Sequence, residues 1–174
     1  MKKIENANIS RGIFITSTSH QLPPTPEGST HKWKVSIRAA FNCDLSYIKD
    51  ITYTLHETFP NPIRTVGYPF EIEEMGWGEF NIHIKINFID ENEKSVSTSH
   101  FIMLYADGKN GVLKNGSVIS EKYDEIIFRS PTKNMYKILK EQGDEDRSLI
   151  VDKEDEEFRK LECAIEYLLD SNFT

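Results

Sequence analysis

Apolar and polar residues alternate along several short stretches of this chain. In His31-Lys32-Trp33-Lys34-Val35-Ser36-Ile37-Arg38 the odd positions Trp33, Val35 and Ile37 are apolar and the even ones polar. That period of two marks a strand with one buried face. Ile51, Tyr53 and Leu55 alternate with Thr52, Thr54 and His56 in the same way. The clearest case is Phe80-Asn81-Ile82-His83-Ile84-Lys85-Ile86-Asn87-Phe88, with five apolar residues on one face and four polar on the other. Asp90-Glu91-Asn92-Glu93 then turns the chain, and residues 96–105 read as a further strand. Asn115-Gly116 is a hairpin signal between Val112-Leu113 and Val118-Ile119. Alternating strands separated by turns predict an all-β fold, an immunoglobulin-like antiparallel β-sandwich over residues 31–130.

Helical spacing takes over after the strands. Ser130-Pro131-Thr132 offers an N-cap with proline at the first helical position, and Met135, Ile138 and Leu139 form an apolar stripe up to Gly143. Residues 131–143 are thus expected to be a short helix and 144–151 an acidic linker. Over 152–172, Phe158, Leu161, Ile165 and Leu168 recur at the rhythm of a coiled coil. Two heptads are marginal alone, so this amphipathic helix docks on its own sandwich or on a partner helix. Residues 1–30 carry little pattern, and Pro23-Pro24-Thr25-Pro26-Glu27-Gly28 leads into the first clear strand.

Composition narrows the function classes. With 174 residues there is room for one domain and an appendage, and 38% hydrophobic residues fit a globular chain rather than a disordered one. No run is long and apolar enough for a bilayer, and no apolar stretch follows Lys2-Lys3, so an intracellular protein without membrane contact is expected. Cys43 and Cys163 stand far apart, and the five histidines lack paired-ligand spacing. Neither a disulfide nor a metal or other cofactor is expected. Residues 1–140 hold 17 basic against 16 acidic side chains, and residues 141–174 hold 4 against 12. A near-neutral body lacks the basic face of direct DNA binding. The acidic tail suits either a basic partner or plain solvation.

No nucleophile–base pairing, P-loop or Gly-x-Gly-x-x-Gly stands in recognisable context, so an enzyme is not expected. Glu73 and Glu74 are strand neighbours pointing to opposite faces, better explained as a solvated edge than as paired carboxylates. Two loops are chemically unusual. His56-Glu57-Thr58-Phe59-Pro60-Asn61-Pro62 leaves one strand, and Met75-Gly76-Trp77-Gly78-Glu79-Phe80 enters another. Turns are ordinarily built from Gly, Asn, Asp, Ser and Pro. From the residues alone, Phe59 and Trp77 either cap the end of the sandwich or meet a ligand.

At these residues the sequence resembles the YEATS domain family. His31-Lys32-Trp33 resembles its His-x-Trp motif, Leu55 to Pro62 its Leu-His-Glu-Ser-aromatic segment, and Pro69 to Phe80 its second clamp loop. Residues 118–132 are similar to the subfamily found in histone-acetyltransferase and histone-variant-exchange complexes. The resemblance implies a nuclear reader of acetyl- and crotonyl-lysine on histone tails, joined to other complex subunits through its C-terminal helix. Position by position, it implies that His56, Thr58 and Phe59 form one clamp loop and Gly76, Trp77, Gly78 and Phe80 the other. Thr58 replaces the usual serine but keeps a hydroxyl. Ser29 stands where several members carry an aromatic or histidine that helps close the pocket. The alternative is a scaffold subunit acting through its C-terminal helix, with a vestigial pocket.

These residue types suit that chemistry. Acylation turns a hydrated ammonium into a flat neutral amide that can slide between aromatic faces, here Phe59 and Trp77. The resemblance gives the amide oxygen the Trp77 backbone N–H and assigns the Thr58 hydroxyl as a side-chain partner for the amide, with His56 fixing Thr58. Glycines at 76 and 78 would let the backbone come close. A methyl-lysine cage would instead surround a cation with several aromatics and leave Thr58 without a purpose.

Overall fold

The computed structural model describes residues 2–148. Nine strands and one helix follow in the order β1 (Asn8–Gln21), β2 (His31–Ala39), β3 (Ile48–Thr54), β4 (Ile63–Val66), β5 (Glu71–Gly76), β6 (Phe80–Phe88), β7 (Val96–Ile102), β8 (Val112–Lys114), β9 (Ser117–Arg129) and α1 (Lys133–Glu141). They form two antiparallel sheets, β5-β2-β1-β9-β8 and β4-β3-β6-β7, the sandwich that the alternation predicts. The predicted inward faces are the core: Trp33, Val35, Ile37, Ile51, Tyr53, Ile82, Ile84 and Ile86 are all buried. Asn115 and Gly116 both take positive φ, 52° and 77°, and Lys114 pairs with Ser117 across them. Such a turn matches the twist of its strands.

Residues 1–30, which carry little pattern, nonetheless supply a strand of the sandwich. Fourteen of them form β1, the centre of the five-stranded sheet, paired with both β2 and β9. Its binary pattern is broken because its buried positions include Arg11, Ser17 and Ser19 beside Ile13 and Ile15. Each polar side chain has a partner in the interior. Ser17 Oγ lies 2.9 Å from His100 Nε2, and Ser19 Oγ donates to the Met103 carbonyl at 2.8 Å. Arg11 Nη2 donates to the carbonyls of Leu139 (2.5 Å) and Gly143 (2.9 Å), satisfying the C-terminal end of α1.

Helix α1 begins at Lys133, two residues later than the proline reading places it. Thr132 is the N-cap and accepts from Met135 N at 3.0 Å, so Pro131 precedes the cap. The acidic turn after β6 holds this cap: the Thr132 hydroxyl donates to Asp90, and Thr132 N donates to Glu93 Oε2 at 3.0 Å. Met135 and Leu139 are buried and Ile138 is half-buried, as the stripe predicts. Strand β7 stops at Ile102, short of residue 105, because Glu79 Oε1 takes the N–H groups of Leu104 (2.8 Å) and Tyr105 (3.1 Å). Residues 2–143 make one compact unit and a second begins at Asp144. The amphipathic helix expected over 152–172 lies outside the described residues.

Candidate functional site

One end of the sandwich gathers three connections: β1–β2, β3–β4 and β5–β6. Together they enclose a cavity of ≈ 410 Å³. All seven expected site residues line it: His56, Thr58 and Phe59 from the β3–β4 loop, and Gly76, Trp77, Gly78 and Phe80 from the β5–β6 side. Ser29 lines it too, from the β1–β2 connection.

The aromatic floor is built on the core. Trp33, buried on β2, stands edge-on to Phe59 at 5.9 Å between centroids and to Phe80 at 5.6 Å. Phe59 and Phe80 stack obliquely at 5.4 Å. Phe59 is therefore a half-buried wall fixed from behind, whereas Trp77 is 71% exposed and stands on the open side. A side chain at Gly76 would press on this floor, its Cβ 3.3 Å from Phe59 Cζ. At Gly78 a Cβ would meet no protein atom within 4 Å. The two glycines thus serve different ends: Gly76 admits the Phe59 ring, and Gly78 leaves the cavity open.

The polar side of the pocket is equally defined. His56 Nδ1 lies 2.9 Å from Thr58 Oγ1, and the Thr58 N–H also reaches Nδ1 at 3.3 Å, which folds the first loop onto itself. Leu55 N donates to the Pro62 carbonyl at 2.8 Å and closes the loop's neck. In the second loop, Thr30 N donates to the Gly76 carbonyl at 3.0 Å. Because C=O and N–H of a trans peptide point in opposite directions within one plane, the Trp77 N–H points away from Thr30. It donates to no group among the described residues. His31 backs Thr30, with Nδ1 2.8 Å from the Thr30 hydroxyl, and burial lowers its pKa against the pull of Glu79.

Arg64, which the sequence did not single out, and Glu74, read there as a solvated edge, hold the loops together. Arg64 on β4 donates to the carbonyls of Pro60 and Asn61, both at 3.1 Å, and reaches Glu74 on β5 at 2.6 Å. Glu74 is thus not merely a solvated edge: its neighbour Glu73 pairs outward with Lys32, but Glu74 is half-buried and lines the cavity. Burial resists its charge, yet Arg64 and the Met75 N–H outweigh that and keep its carboxyl below the usual range. Glu27, Pro60, Met75 and Glu79 complete the wall. Pro60, Met75 and Glu79 sit beside motif residues, but nothing in the sequence marks Glu27.

A two-sheet immunoglobulin-like sandwich with an aromatic-floored pocket between end loops defines a class of small-ligand or peptide-binding module. The comparisons make the class specific, and the chain belongs to the YEATS family. The sequence profile of that family matches residues 28–106. The protein AF-9 homologs of Saccharomyces cerevisiae and Candida glabrata are 36% and 34% identical to it, each match covering 79% of this chain and 71% or 72% of the relative. Among solved structures, the Yaf9 YEATS domain bound to H3K27ac superposes with a TM-score of 0.67 at 35% identity, over 80% of this chain and 98% of that one. The same domain recognising an H3K122suc peptide gives 0.65 at 35% identity, with equal coverage.

Proposed function

We propose that this chain reads acetyl- and crotonyl-lysine on histone tails. The observation that carries the reading is the convergence of His56, Thr58, Phe59, Gly76, Trp77, Gly78 and Phe80 on one open cavity. The solved Yaf9 domain bound to H3K27ac supports it. In this reading the acyl amide lies between Phe59 and Trp77, its oxygen meets the Trp77 N–H, and the Thr58 hydroxyl, held by His56, meets the amide. An unmodified ammonium brings no acceptor for the N–H and loses its hydration on entry. The role is binding, not catalysis, in the nucleus and within a chromatin-modifying or remodelling complex. Contact with other subunits is assigned to the C-terminal segment.

One side chain and its flanks bury little area, so affinities of roughly −8 to −5 kcal/mol are expected, micromolar to hundreds of micromolar. Multivalency within a complex adds to that. The test is a titration of intrinsic tryptophan fluorescence with acetylated and unmodified H3 peptides, repeated with Trp77→Ala. Equal binding of both peptides, or an unchanged acetyl affinity in the variant, overturns the reading and leaves the scaffold role.

A further inference from the structure

The β1–β2 connection ends in a turn that one threonine closes twice. The Thr25 carbonyl accepts from Gly28 N at 3.1 Å, and the Thr25 hydroxyl donates to the Ser29 carbonyl at 3.0 Å. Pro26 at the second place of this turn and Gly28 at the fourth, with φ of 78°, suit that geometry. The tie reaches beyond the turn. The Ser29 carbonyl shares a peptide with the Thr30 N–H, which donates to the Gly76 carbonyl at 3.0 Å. The Gly76 carbonyl in turn shares a peptide with the Trp77 N–H. Two planar peptides therefore connect the Thr25 hydroxyl to the donor assigned to the acyl amide.

Thr25 also stands in the run Pro23-Pro24-Thr25-Pro26. A residue before proline is kept extended, and Pro23, Pro24, Pro26 and Glu27 are all exposed. An exposed, extended loop tip is where a modifying enzyme reaches a chain. The other hydroxyl residue followed by proline is Ser130. It takes a φ of 48°, gives its N–H to the Ala7 carbonyl at 2.8 Å and precedes a buried Pro131. That pair is locked into the fold, whereas the Thr25 pair is on offer.

We propose that Thr25 is a phosphorylation site for a proline-directed protein kinase, and that phosphate there weakens acyl-lysine binding. The second half rests on the acyl-lysine reading above. In the modification, Thr25 Oγ1 attacks the γ-phosphorus of ATP as the bond to the β,γ-bridging oxygen breaks. ADP leaves with the electron pair, and the hydroxyl proton passes to the kinase's base. The esterified oxygen has no proton left to donate, so the Ser29 carbonyl loses its partner. About −1.5 to −2 charges arrive at neutral pH, next to that carbonyl and two residues from Glu27. Their repulsion drives the tip off the cavity wall that Glu27 and Ser29 help to form. The Ser29–Thr30 peptide then no longer steadies the Gly76 carbonyl, and the Trp77 N–H loses its aim.

The experiment treats the full chain with ATP and an active mitogen-activated protein kinase, and locates the phosphate by mass spectrometry. Phosphate on Thr25, lost in Thr25→Ala, is expected. No incorporation, or incorporation mainly elsewhere, overturns the site. The phosphorylated chain is expected to bind an acetylated H3 peptide about tenfold more weakly, and Thr25→Val, which loses the hydroxyl without gaining charge, about threefold. Thr25→Ser should bind as the natural residue does. Unchanged or tighter binding after phosphorylation overturns the coupling to the pocket. The Trp77 amide resonance is expected to move on phosphorylation with no peptide present, and a fixed resonance overturns the relay. Failure of the unmodified chain to bind any acyl peptide is a different result, which removes the acyl-lysine reading and leaves the site and the relay to the other two readouts.

Discussion

Arg64 Nη2 stands 2.6 Å from Glu74 Oε2, and this ion pair joins the two loops that form the pocket. The same guanidinium holds the Pro60 and Asn61 carbonyls of the first loop, while Glu74 lies two residues before Gly76 at the start of the second. Arg64→Ala is expected to weaken acetyl-peptide binding by about tenfold, since both walls lose their spacing. The sandwich itself should lose only a few degrees of melting temperature, roughly what ~1 kcal/mol costs a domain of this size. Calorimetric titration and thermal unfolding of the one variant check both halves. A double-mutant cycle with Glu74→Gln should show strong coupling.

The hydroxyl of Thr58 is separable from its bulk. Thr58→Ser is expected to bind acetyl peptide as the natural residue does. Thr58→Val leaves the buried amide without its side-chain partner, at a cost of ~1–3 kcal/mol, or about fivefold to 150-fold in affinity. Fluorescence titration distinguishes the two. Similar losses in both variants would place the effect in packing instead.

The two clamp glycines should respond differently to a methyl group. Gly76→Ala puts a Cβ 3.3 Å from Phe59 Cζ and 3.6 Å from Trp33 Nε1, and so lowers thermal stability. Gly78→Ala meets nothing within 4 Å and should leave the melting temperature unchanged. Differential scanning calorimetry of the pair is the measurement.

His100 makes the fold acid-sensitive. Burial, with help from the nearby Lys122 charge, lowers its pKa from 6.5 to about 4. The unfolded chain therefore binds a proton that the folded one refuses between those values. The stabilisation is complete above pH ~6.5 and falls as the pH drops toward 4, with ~2 kcal/mol lost by pH 5. Denaturant unfolding at pH 7 and pH 5 should show that loss. In His100→Gln the pH-dependent part should shrink.

Replacing Arg11 tests the tie between the first strand and the last helix. Arg11→Met leaves the carbonyls of Leu139 and Gly143 without the donor that reaches them now. The Leu139 carbonyl is the buried one of the two, so a loss of ~1–3 kcal/mol is expected. It should appear as faster amide exchange in α1 than in β6.

Much of this architecture was legible because its strands obey a simple alternation. β2, β3 and β6 read directly from their sequences, since every inward position but His31 at the start of β2 is apolar. β1 did not, because Arg11, Ser17 and Ser19 occupy inward positions and are satisfied by residues on other elements. No local pattern reports a partner more than eighty positions away. β4 is four residues long with alternately exposed positions, which leaves its pattern faint. At the site, the seven motif residues line one cavity. Arg64 and Thr30 were invisible because they act through backbone carbonyls of the loops they steady, and a carbonyl has no sequence signature.

The pairing of β1 with β9 also bears on how the chain assembles itself. Asn8 sits opposite Arg129 and His20 opposite Ser117, so among the described strands the first waits for the last. β2 can join β1 early, but the sheet's other half is missing until the Asn115-Gly116 turn has emerged. Long-range pairings of this kind slow folding and leave a strand edge open meanwhile. The hydroxyls and guanidinium that blur β1 in the sequence are, in that interval, what make its waiting edge a poor template for other chains.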